Sequence, residues 1–294
     1  MSPSGPVEDH NRGSGNPHAC RSGYSRDPDS PDIQAIAAVA APADGVCAPL
    51  DLGPEPGAAL RVLHLEDGFA VVDKPAGLMV HDSRLARGED DFAADRLRAQ
   101  FDRPIFLVHR LDRATSGCLL LAFDRETAST LGKSLMAGDV DKAYLAVCRG
   151  WPADAAFTVD HPLDGGPGKP QKKPAVTRFE RLATAELPIP SGGFETSRYA
   201  LLRAWPQTGR FRQIRRHLKH LSHHLIGDTS HGDGRHNRSF RMLGIHRMLL
   251  HAEQLVFPHP HDPARRVAVT APPDAAFGRA LAFFPRDGST DCAP

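Results

Sequence analysis

Short apolar runs, each ended by turn-forming residues, follow one another along residues 59–285. Several of these runs alternate apolar and polar side chains, a period that is typical of strands with one buried face. We predict strands at Arg61–Leu65, Phe69–Asp73, Ile105–His109, Cys118–Phe123, Ala143–Cys148, Ala175–Leu182, Ser197–Trp205, His251–Phe257 and Val267–Thr270. A helical period predicts helices at Arg125–Ala137, Gly209–Leu221 and Asp274–Phe284. Many strands and few helices, with no internal repeat, predict an α+β fold: a mixed, mainly antiparallel sheet with a few flanking helices.

The predicted helix Gly209–Leu221 has two distinct faces. Ile214 and Leu218 lie on its apolar face, and Lys219 lies on the opposite, basic face. Thr208 precedes the segment, and a threonine in that place commonly caps the first turn of a helix through its hydroxyl. We therefore expect the helix to begin directly after Thr208.

Both ends of the chain lack such patterning. The first 58 residues are rich in Pro, Gly, Ser, Asp and Ala and show neither period. A segment of this kind cannot bury enough apolar surface to offset the entropy lost on ordering, so we predict that residues 1–58 are disordered. Residues 286–294 have the same character on a smaller scale. Residues 59–285 remain as the expected folded unit.

The composition of the chain is that of a globular protein. Of its 294 residues, 40% are hydrophobic and 24% are charged, which is normal for a soluble domain. No apolar run approaches the roughly 20 residues that span a bilayer, and the N-terminus lacks a signal-peptide pattern. The five cysteines form no close pair, which argues against a disulfide framework and a cysteine zinc site. We expect a cytoplasmic protein without membrane association, and nothing in the sequence calls for an obligate protein partner.

Charge is distributed unevenly along the chain. The net charge is +1, but residues 1–58 hold three Arg, no Lys and eight Asp or Glu, a net −5 that leaves +6 for the rest. The block Arg203–Arg247 holds ten Arg or Lys and only two acids, Asp228 and Asp233. A solvated charged face is the alternative interpretation, but such faces usually mix both signs, whereas an excess of cations is typical of phosphate binding. We therefore expect a nucleic acid partner.

Four histidines of that block, His217, His220, His223 and His224, raise the question of a metal site. The acidic and cysteine ligands usual for such sites are missing nearby, and the neighbouring arginines disfavour a bound cation. We expect these rings to form hydrogen bonds with the backbone or with RNA, and we expect no metal.

The turn within His109–Gly117 places a carboxylate between two cations, since Asp112 lies between Arg110 and Arg113. Predicted strands lie on both sides of this turn. Neighbouring positive charges favour the ionised form of a carboxylate, which suits a reactive group. A surface turn with ordinary salt bridges explains the same spacing, and spacing alone does not decide between the two.

Four motifs follow one another across the folded unit: Asp73–Leu78 with His81, His109–Gly117, Lys142–Tyr144 and Thr208–His217. In order and spacing they resemble the RluA-type pseudouridine synthases, over essentially all of residues 59–285. The stretch Ile226–Asp233, followed by Arg235 and Asn237–Arg238, resembles most the TruC branch, which modifies uridine 65 of transfer RNA. The resemblance implies a pseudouridine synthase fold with a central RNA-binding cleft and tRNA as the partner. Ribosomal RNA is the alternative substrate, because related enzymes share all four motifs.

The resemblance implies a role for each matching position. Asp112 corresponds to the catalytic aspartate, and Arg215 to the arginine that forms an ion pair with it. Tyr144 corresponds to a tyrosine that stacks on the target base and helps to move a proton. Ile214 corresponds to an aliphatic residue that packs against this base, although its helical position fits a core residue equally well. Arg110 corresponds to a residue that fills the space left by the flipped nucleotide.

Four further cations complete the expected RNA-binding set: Arg210, Arg212, Lys219 and Arg238. Arg212 departs from the family pattern, because relatives usually carry His at that position. The implied reaction flips the uridine from its stack and moves its glycosidic bond from N1 to C5 without net redox change, so we expect no cofactor. A catalytically inert RNA-binding protein is the alternative from another class, and the combination of Asp112, Tyr144 and Arg215 disfavours it.

Overall fold

Twelve strands and five helices make up the residues that the structure, a computed structural model, describes: 55–82 and 90–285. The strands are β1 (Arg61–Glu66), β2 (Phe69–Lys74), β3 (Phe106–Leu107), β4 (Ser116–Ala122), β5 (Asp141–Arg149), β6 (Ala156–Asp160), β7 (Leu163–Asp164), β8 (Lys172–Lys173), β9 (Val176–Leu187), β10 (Ser197–Pro206), β11 (Leu250–His259) and β12 (Asp262–Thr270). The helices are α1 (Ala93–Phe101), α2 (Arg125–Ala137), α3 (Gln213–His220), α4 (Gly234–Met242) and α5 (Ala275–Leu281). The predicted α+β class is confirmed.

Ten strands form one sheet, in the order β1-β2-β4-β11-β5-β10-β9-β6, with β12 paired to β11 and β3 paired to β4. Among the pairs in the described ranges, only β4 and β11 run parallel, where Ser116–Gly117 meet His251–Ala252. The strands β7 and β8 form a separate antiparallel ribbon. The predicted mixed, mainly antiparallel sheet is confirmed.

Helices cover both faces of the half of the sheet built on β2 and β4. Successive residues of a strand point to opposite faces. Leu119 and Leu121 accordingly pack with Leu97 of α1, whereas Leu120 packs with Leu131 of α2. This half therefore has an apolar core on each face.

The half built on β5 and β10 repeats the arrangement. Leu202 of β10 packs with Leu218 of α3 on one face. Tyr199 of the same strand packs with Phe240 of α4 and Phe277 of α5 on the other face. The helix α3, which carries Arg215, is thereby fixed on this half of the sheet.

The helix α3 begins later than the sequence predicts. Arg212 takes the left-handed backbone conformation, with φ 51°, and the helix starts at Gln213. The Thr208 hydroxyl caps nothing, because it donates to Oε1 of Gln213 at 2.7 Å and accepts from the backbone N–H of Val176 at 3.0 Å. Residues 209–212 form a turn that the helical period of their side chains conceals.

Several elements escape the sequence patterns, although each predicted strand and helix is present in some form. The strands β7 and β8 have two residues each, too few to show a period, and only one of the five residues of β6 is buried. In α1 the inward face holds Arg96, which pairs with Asp91. In α4 the buried side chains include His236 and Asn237 beside Phe240. Helices that bury polar residues lack the apolar stripe on which the prediction depends.

The predicted disordered tail, residues 1–58, lies outside the described residues except for 55–58, and so does all of 286–294. Both predictions remain untested. Within the described ranges, no helix has the length and apolar character needed to cross a membrane.

Candidate active site

Asp112 lies in the turn between β3 and β4, at a cleft of about 770 Å³. The cleft collects side chains from segments far apart in the chain. Seven of the predicted site residues line it: Arg110, Asp112, Tyr144, Arg210, Arg212, Ile214 and Arg215. Lys219 and Arg238 do not line it; both are exposed elsewhere, on α3 and α4. Their contact with RNA remains a prediction.

One guanidinium joins two carboxylates at this cleft. Nη1 of Arg215 donates to Oδ2 of Asp112 at 2.7 Å. Nε and Nη2 of the same side chain donate to the two carboxylate oxygens of Asp228, at 2.7 and 2.8 Å. The side chain of Asp112 is 22% exposed, those of Arg215 and Asp228 only 6% and 0%. The Asp112 end of this row therefore faces the cleft, and the Asp228 end is buried in the protein.

Asp228 is held from several sides. Its carboxylate also accepts hydrogen bonds from the backbone N–H groups of Ser230 and His231, at 2.8 and 2.9 Å. The amide of Asn237 donates to its backbone carbonyl at 2.9 Å. Burial alone would raise the pKa of Asp228, but Arg215 and the backbone donors outweigh it and lower that pKa. Asp228 therefore stays ionised, and it fixes the orientation of Arg215.

The charge on Arg215 is equally secure. Burial opposes it, yet the hydrogen bonds and negative charges of Asp228 and Asp112 raise the pKa of the guanidinium above its ordinary value. The arginine that contacts Asp112 in the structure comes from α3, whereas the flanking Arg110 and Arg113 are both exposed. The cation that matters for the carboxylate is thus 103 residues away in sequence.

A buried lysine ties the turn of Asp112 to the end of β2. Lys74 is fully buried, and its ammonium donates to the carbonyls of Pro75, Leu78 and Arg113, at 2.7, 2.8 and 3.2 Å. The backbone N–H of Gly77 donates to the same Arg113 carbonyl at 2.8 Å. Burial lowers the pKa of Lys74 to about 7, an effect to which Arg247 adds and which Asp112 opposes. The backbone of Arg113, next to Asp112, is therefore held by hydrogen bonds from the end of β2 and the turn that follows it.

The close pairing of β4 and β11 needs a glycine beside this turn. Gly117 has φ +105°, and a side chain there would place its first carbon 2.2 Å from the carbonyl oxygen of Ala252. Only glycine fits such an approach. This glycine therefore sets the distance between β4, which follows Asp112, and β11.

Tyr144 and Ile214 form apolar parts of the cleft wall. Tyr144 projects from β5 and is half-buried; burial and the negative charge of Asp112 raise the pKa of its phenol above the ordinary value. The phenol is therefore neutral at physiological pH and keeps a proton to donate. Ile214 is 6% exposed and belongs both to the apolar cluster under α3 and to the cleft wall. A core position and a position in the cleft wall are therefore compatible for Ile214, because its side chain contacts both.

The basic residues at the start of α3 line the cleft mouth. Nε of Arg210 donates to the carbonyl of Pro174 at 2.9 Å. The guanidinium of Arg212 lies 4.8 Å from the centre of the Phe211 ring. Burial lowers the pKa of Arg212, and the nearby charge of Arg215 adds to this shift. The departure from the family pattern thus places an additional cation beside the Asp112–Arg215 pair.

The histidines of the basic block bind backbone groups. The rings of His217, His223 and His224 form hydrogen bonds with the carbonyls of His161, Arg149 and His231, as expected for part of this set. His220 stacks on the ring of His161, with centroids 3.9 Å apart. No three His, Cys, Asp or Glu side chains of the described ranges group as metal ligands would.

Asp228 is the functional residue that sequence reasoning missed. The sequence presents it only as one of the two acids within the basic block. No local pattern singles it out, because its burial and its pairing with Arg215 arise only in the folded chain.

Comparisons with known proteins identify the family of this chain. Residues 68–220 match the family model described as RNA pseudouridylate synthase. The tRNA pseudouridine synthase C of Vibrio cholerae is 40% identical over 212 residues, which are 69% of this chain and 86% of that protein. The protein of the same name from Salmonella typhimurium is 38% identical over 235 residues, 76% of this chain and 90% of that one.

Solved structures share the fold. Human RNA Pseudouridylate Synthase Domain Containing 1 superposes with a TM-score of 0.60 at 25% identity, over 76% of this chain and 89% of that one. Human RNA Pseudouridylate Synthase Domain Containing 4 gives a TM-score of 0.59 at 23% identity, over 75% and 91%. The resemblance of the motifs to RluA-type enzymes is thereby confirmed, and this chain belongs to the RNA pseudouridylate synthase family.

Proposed function

We propose that this pseudouridine synthase acts on transfer RNA, at uridine 65, with Asp112 as its nucleophile and without a cofactor. The observation that carries the chemistry is the Asp112 carboxylate, which Arg215 binds at 2.7 Å and which is the one acid among the residues that line this cleft. The choice of tRNA is supported by relatives 40% and 41% identical that are named tRNA pseudouridine synthase C. The position is supported by the resemblance of Ile226–Asp233 to the TruC branch.

The reaction needs no group beyond those of the chain. It breaks the N1–C1′ bond of uridine, turns the uracil and joins C5 to C1′, while C5 loses a proton and N1 gains one. Nothing is oxidised or reduced overall. The base must first leave its stack, and a cleft of about 770 Å³ lies in the size range of pockets that enclose small ligands.

Asp112 can serve either of two routes. In the first, its carboxylate attacks C1′ as the N1–C1′ bond breaks, and C5 later displaces the carboxylate from C1′. In the second, it removes the C2′ proton as the N1–C1′ bond breaks, which gives a glycal, and it returns that proton to C2′ when C5 bonds to C1′. Both routes need an ionised carboxylate. Arg215 binds Oδ2, and Oδ1 accepts no hydrogen bond within the described residues, so one oxygen is available to the sugar. Neutral Tyr144 stacks on the base and moves a proton between C5 and N1.

We also propose a cytoplasmic location. Cys118 and Cys148 are free, buried thiols, and burial raises the pKa of each to about 12. Unreactive free thiols are typical of proteins in a reducing compartment.

The test is pseudouridine mapping on tRNA transcripts. We expect the wild-type protein to modify uridine 65, and Asp112→Asn to give no product above the background without enzyme. Because affinity depends mostly on phosphate contacts, the variant should still bind tRNA. A transcript with cytidine at position 65 serves as the control, and ribosomal RNA transcripts test the alternative substrate. Product from the Asn variant would reject Asp112 as nucleophile; product only in ribosomal RNA would reject the tRNA assignment.

A further inference from the structure

The hairpin of β7 and β8, residues 163–173, lies against the wall of the active-site cleft. Gly165 of its turn and Phe211 both line that cleft. Gly166 has φ +90°, and a side chain there would place its first carbon 2.7 Å from the Phe211 ring. The turn is closed by hydrogen bonds in both directions between Lys169 and the two glycines, each 3.0 Å long. The hairpin is therefore a formed structure whose backbone rests on an aromatic ring of the cleft.

The helix that positions the nucleophile also anchors this hairpin. Arg216, the neighbour of Arg215 on α3, donates through Nη2 to Oδ2 of Asp164 at 2.7 Å and through Nη1 to its carbonyl at 3.0 Å. Arg210 donates to the carbonyl of Pro174, just beyond β8. The hairpin is thus docked at two points, and its only acid is already neutralised by Arg216.

The exposed side chains of the hairpin carry an excess of positive charge. Lys169, Lys172 and Lys173 are exposed, and residues 165–179 contain no acid. These three ammonium groups form no ion pair within the described part of the chain. Lys172 lies opposite Asp164 across the ribbon, but Arg216 already pairs with that carboxylate. The three ammonium groups therefore add positive charge that no acid of the ribbon balances. Several exposed ammonium groups without carboxylate partners are typical of a surface that binds a polyanion such as the RNA backbone.

We propose that this hairpin is a cationic arm that binds the phosphate backbone of the substrate RNA beside the cleft while the target uridine occupies it. The proposal rests on the proposed function only in taking tRNA as the RNA. The arm adds cations beside Arg210 and Arg212 at the cleft. Its lysines lie outside the basic block Arg203–Arg247 in the sequence. Phosphate contacts fix the position of an RNA without reading its sequence, so the arm holds the substrate and leaves the choice of uridine unchanged.

The first test removes the charge of the arm. The variant Lys169→Ala/Lys172→Ala/Lys173→Ala is compared with the wild type in tRNA binding at several salt concentrations. Three lost phosphate contacts flatten the dependence of log affinity on log salt by about 2–3 units. Between about 50 and 200 mM salt, the affinity advantage of the wild type should therefore shrink by about 20–40-fold. The variant should unfold at the wild-type urea midpoint, which shows that it is folded.

The matched control removes three exposed cations elsewhere: Arg61→Ala/Arg98→Ala/Arg265→Ala. These side chains lie on β1, α1 and β12 and do not line the cleft. The net charge change is the same, so a general loss of positive charge affects both variants equally. We expect the control to keep the wild-type salt dependence.

A second test undocks the arm and keeps its lysines. Asp164→Ala removes the partner of Arg216 and makes the protein one charge more positive. We nevertheless expect weaker tRNA binding, because the arm loses its ion pair with Arg216 and is held beside the cleft only by the carbonyl contacts of Arg216 and Arg210. If net charge alone decided the affinity, Asp164→Ala would bind tRNA more tightly than the wild type.

The outcomes separate the two proposals. If the wild-type protein forms no pseudouridine in tRNA, the proposed substrate is wrong, whatever the arm does. If the wild type is active but the triple-lysine variant keeps its affinity and salt dependence, the arm does not bind RNA. Equal losses in the triple-lysine variant and the control would also overturn the proposal.

Discussion

At the scale of single residues, the direction of Arg215 decides the geometry of the site. A guanidinium offers its donors in a rigid fork. Asp228 takes two of them in a bidentate contact, and Asp112 takes one. Because Asp228 is buried and held by backbone groups, it fixes the fork, and the fork in turn fixes the carboxylate at the cleft. We therefore regard Asp228 as a positioning residue for Asp112.

Substitution of Asp228 tests this role. Asp228→Asn leaves the charge of Arg215 balanced only by Asp112, and loss of one member of a buried ion pair costs about 3–5 kcal/mol of unfolding free energy. In urea denaturation we expect the unfolding free energy to fall by about 3 kcal/mol, the lower end of this range. We also expect turnover to fall by a larger factor than tRNA affinity. The matched control is Asp233→Asn, which keeps a capping residue at the start of α4 and loses only a partly exposed ion pair with Arg149. Equal stability of the two variants would contradict the role.

The same pair predicts a pH dependence. The pKa of Asp228 is lowered on folding, so its stabilising contribution is complete above the ordinary aspartate pKa and is lost as pH falls through the lowered value. The difference in unfolding free energy between wild type and Asp228→Asn should therefore shrink at acid pH. A difference that stays constant down to acid unfolding would contradict the lowered pKa.

At the scale of elements, two turns are tied together beneath Asp112. The turn after β2 and the turn before β4 share the ammonium of Lys74 and a backbone hydrogen bond from Gly77. The three N–H bonds of a protonated lysine meet three carbonyls here. The sequence motifs on these two turns are thus one structural unit, although 39 residues separate Lys74 from Arg113.

Lys74→Met tests this unit by removing the three donors while keeping a long apolar side chain. We expect lower turnover with little change in tRNA affinity, because the backbone beside Asp112 loses its anchor. The pKa of Lys74 falls to about 7 on folding, so its burial costs stability at lower pH and that cost is relieved as pH rises from about 7 towards the ordinary lysine value. The unfolding free energy of wild type relative to Lys74→Met should rise over this window by up to about 1.4 kcal/mol per pH unit. Lys133→Met, at an exposed position of α2, should show no such trend.

The elements also show where sequence patterns reach their limit. Strands such as β5 and β10 are predictable because they are short apolar runs bounded by turn residues, although both of their faces are buried and the alternation is incomplete. The start of α3 is not, because Arg212 leaves the helical conformation while Phe211 and Ile214 keep a helical spacing. The partner of Arg215 in Asp228 is equally hidden, since both lie in a block whose composition indicates only charge. Local periods report burial, and they carry no information on which charges meet.

At the scale of the whole molecule, the cleft lies where the two halves of the sheet join. Asp112 comes from the turn before β4, Tyr144 from β5 and Arg215 from α3. The strand β11 lies between β4 and β5 and pairs with both. The site therefore depends on a topology that brings distant segments together. In the sequence, only the resemblance to a family predicted that Asp112, Tyr144 and Arg215 would meet.

The N-terminal segment is acidic, whereas the cleft is lined by arginine and lysine side chains. Residues 1–54 hold three Arg and seven Asp or Glu, a net −4, which leaves +5 for the rest of the chain. The structure recommends a cut after residue 54, because the carbonyl of Ala58 accepts a hydrogen bond from Arg96 at 3.0 Å. A protein that begins at residue 55 keeps this contact.

We expect the truncated protein to unfold at the wild-type urea midpoint and to modify the same uridine, because the composition of the removed segment predicts no core. It should bind tRNA at least as tightly as the full chain, most visibly at low salt, where a net −4 competes best with phosphates for the cleft. The measurement is tRNA affinity at several salt concentrations, with pseudouridine mapping of the product. If truncation abolishes binding or moves the modified position, the segment recognises RNA through something other than charge, since its charge alone repels the substrate.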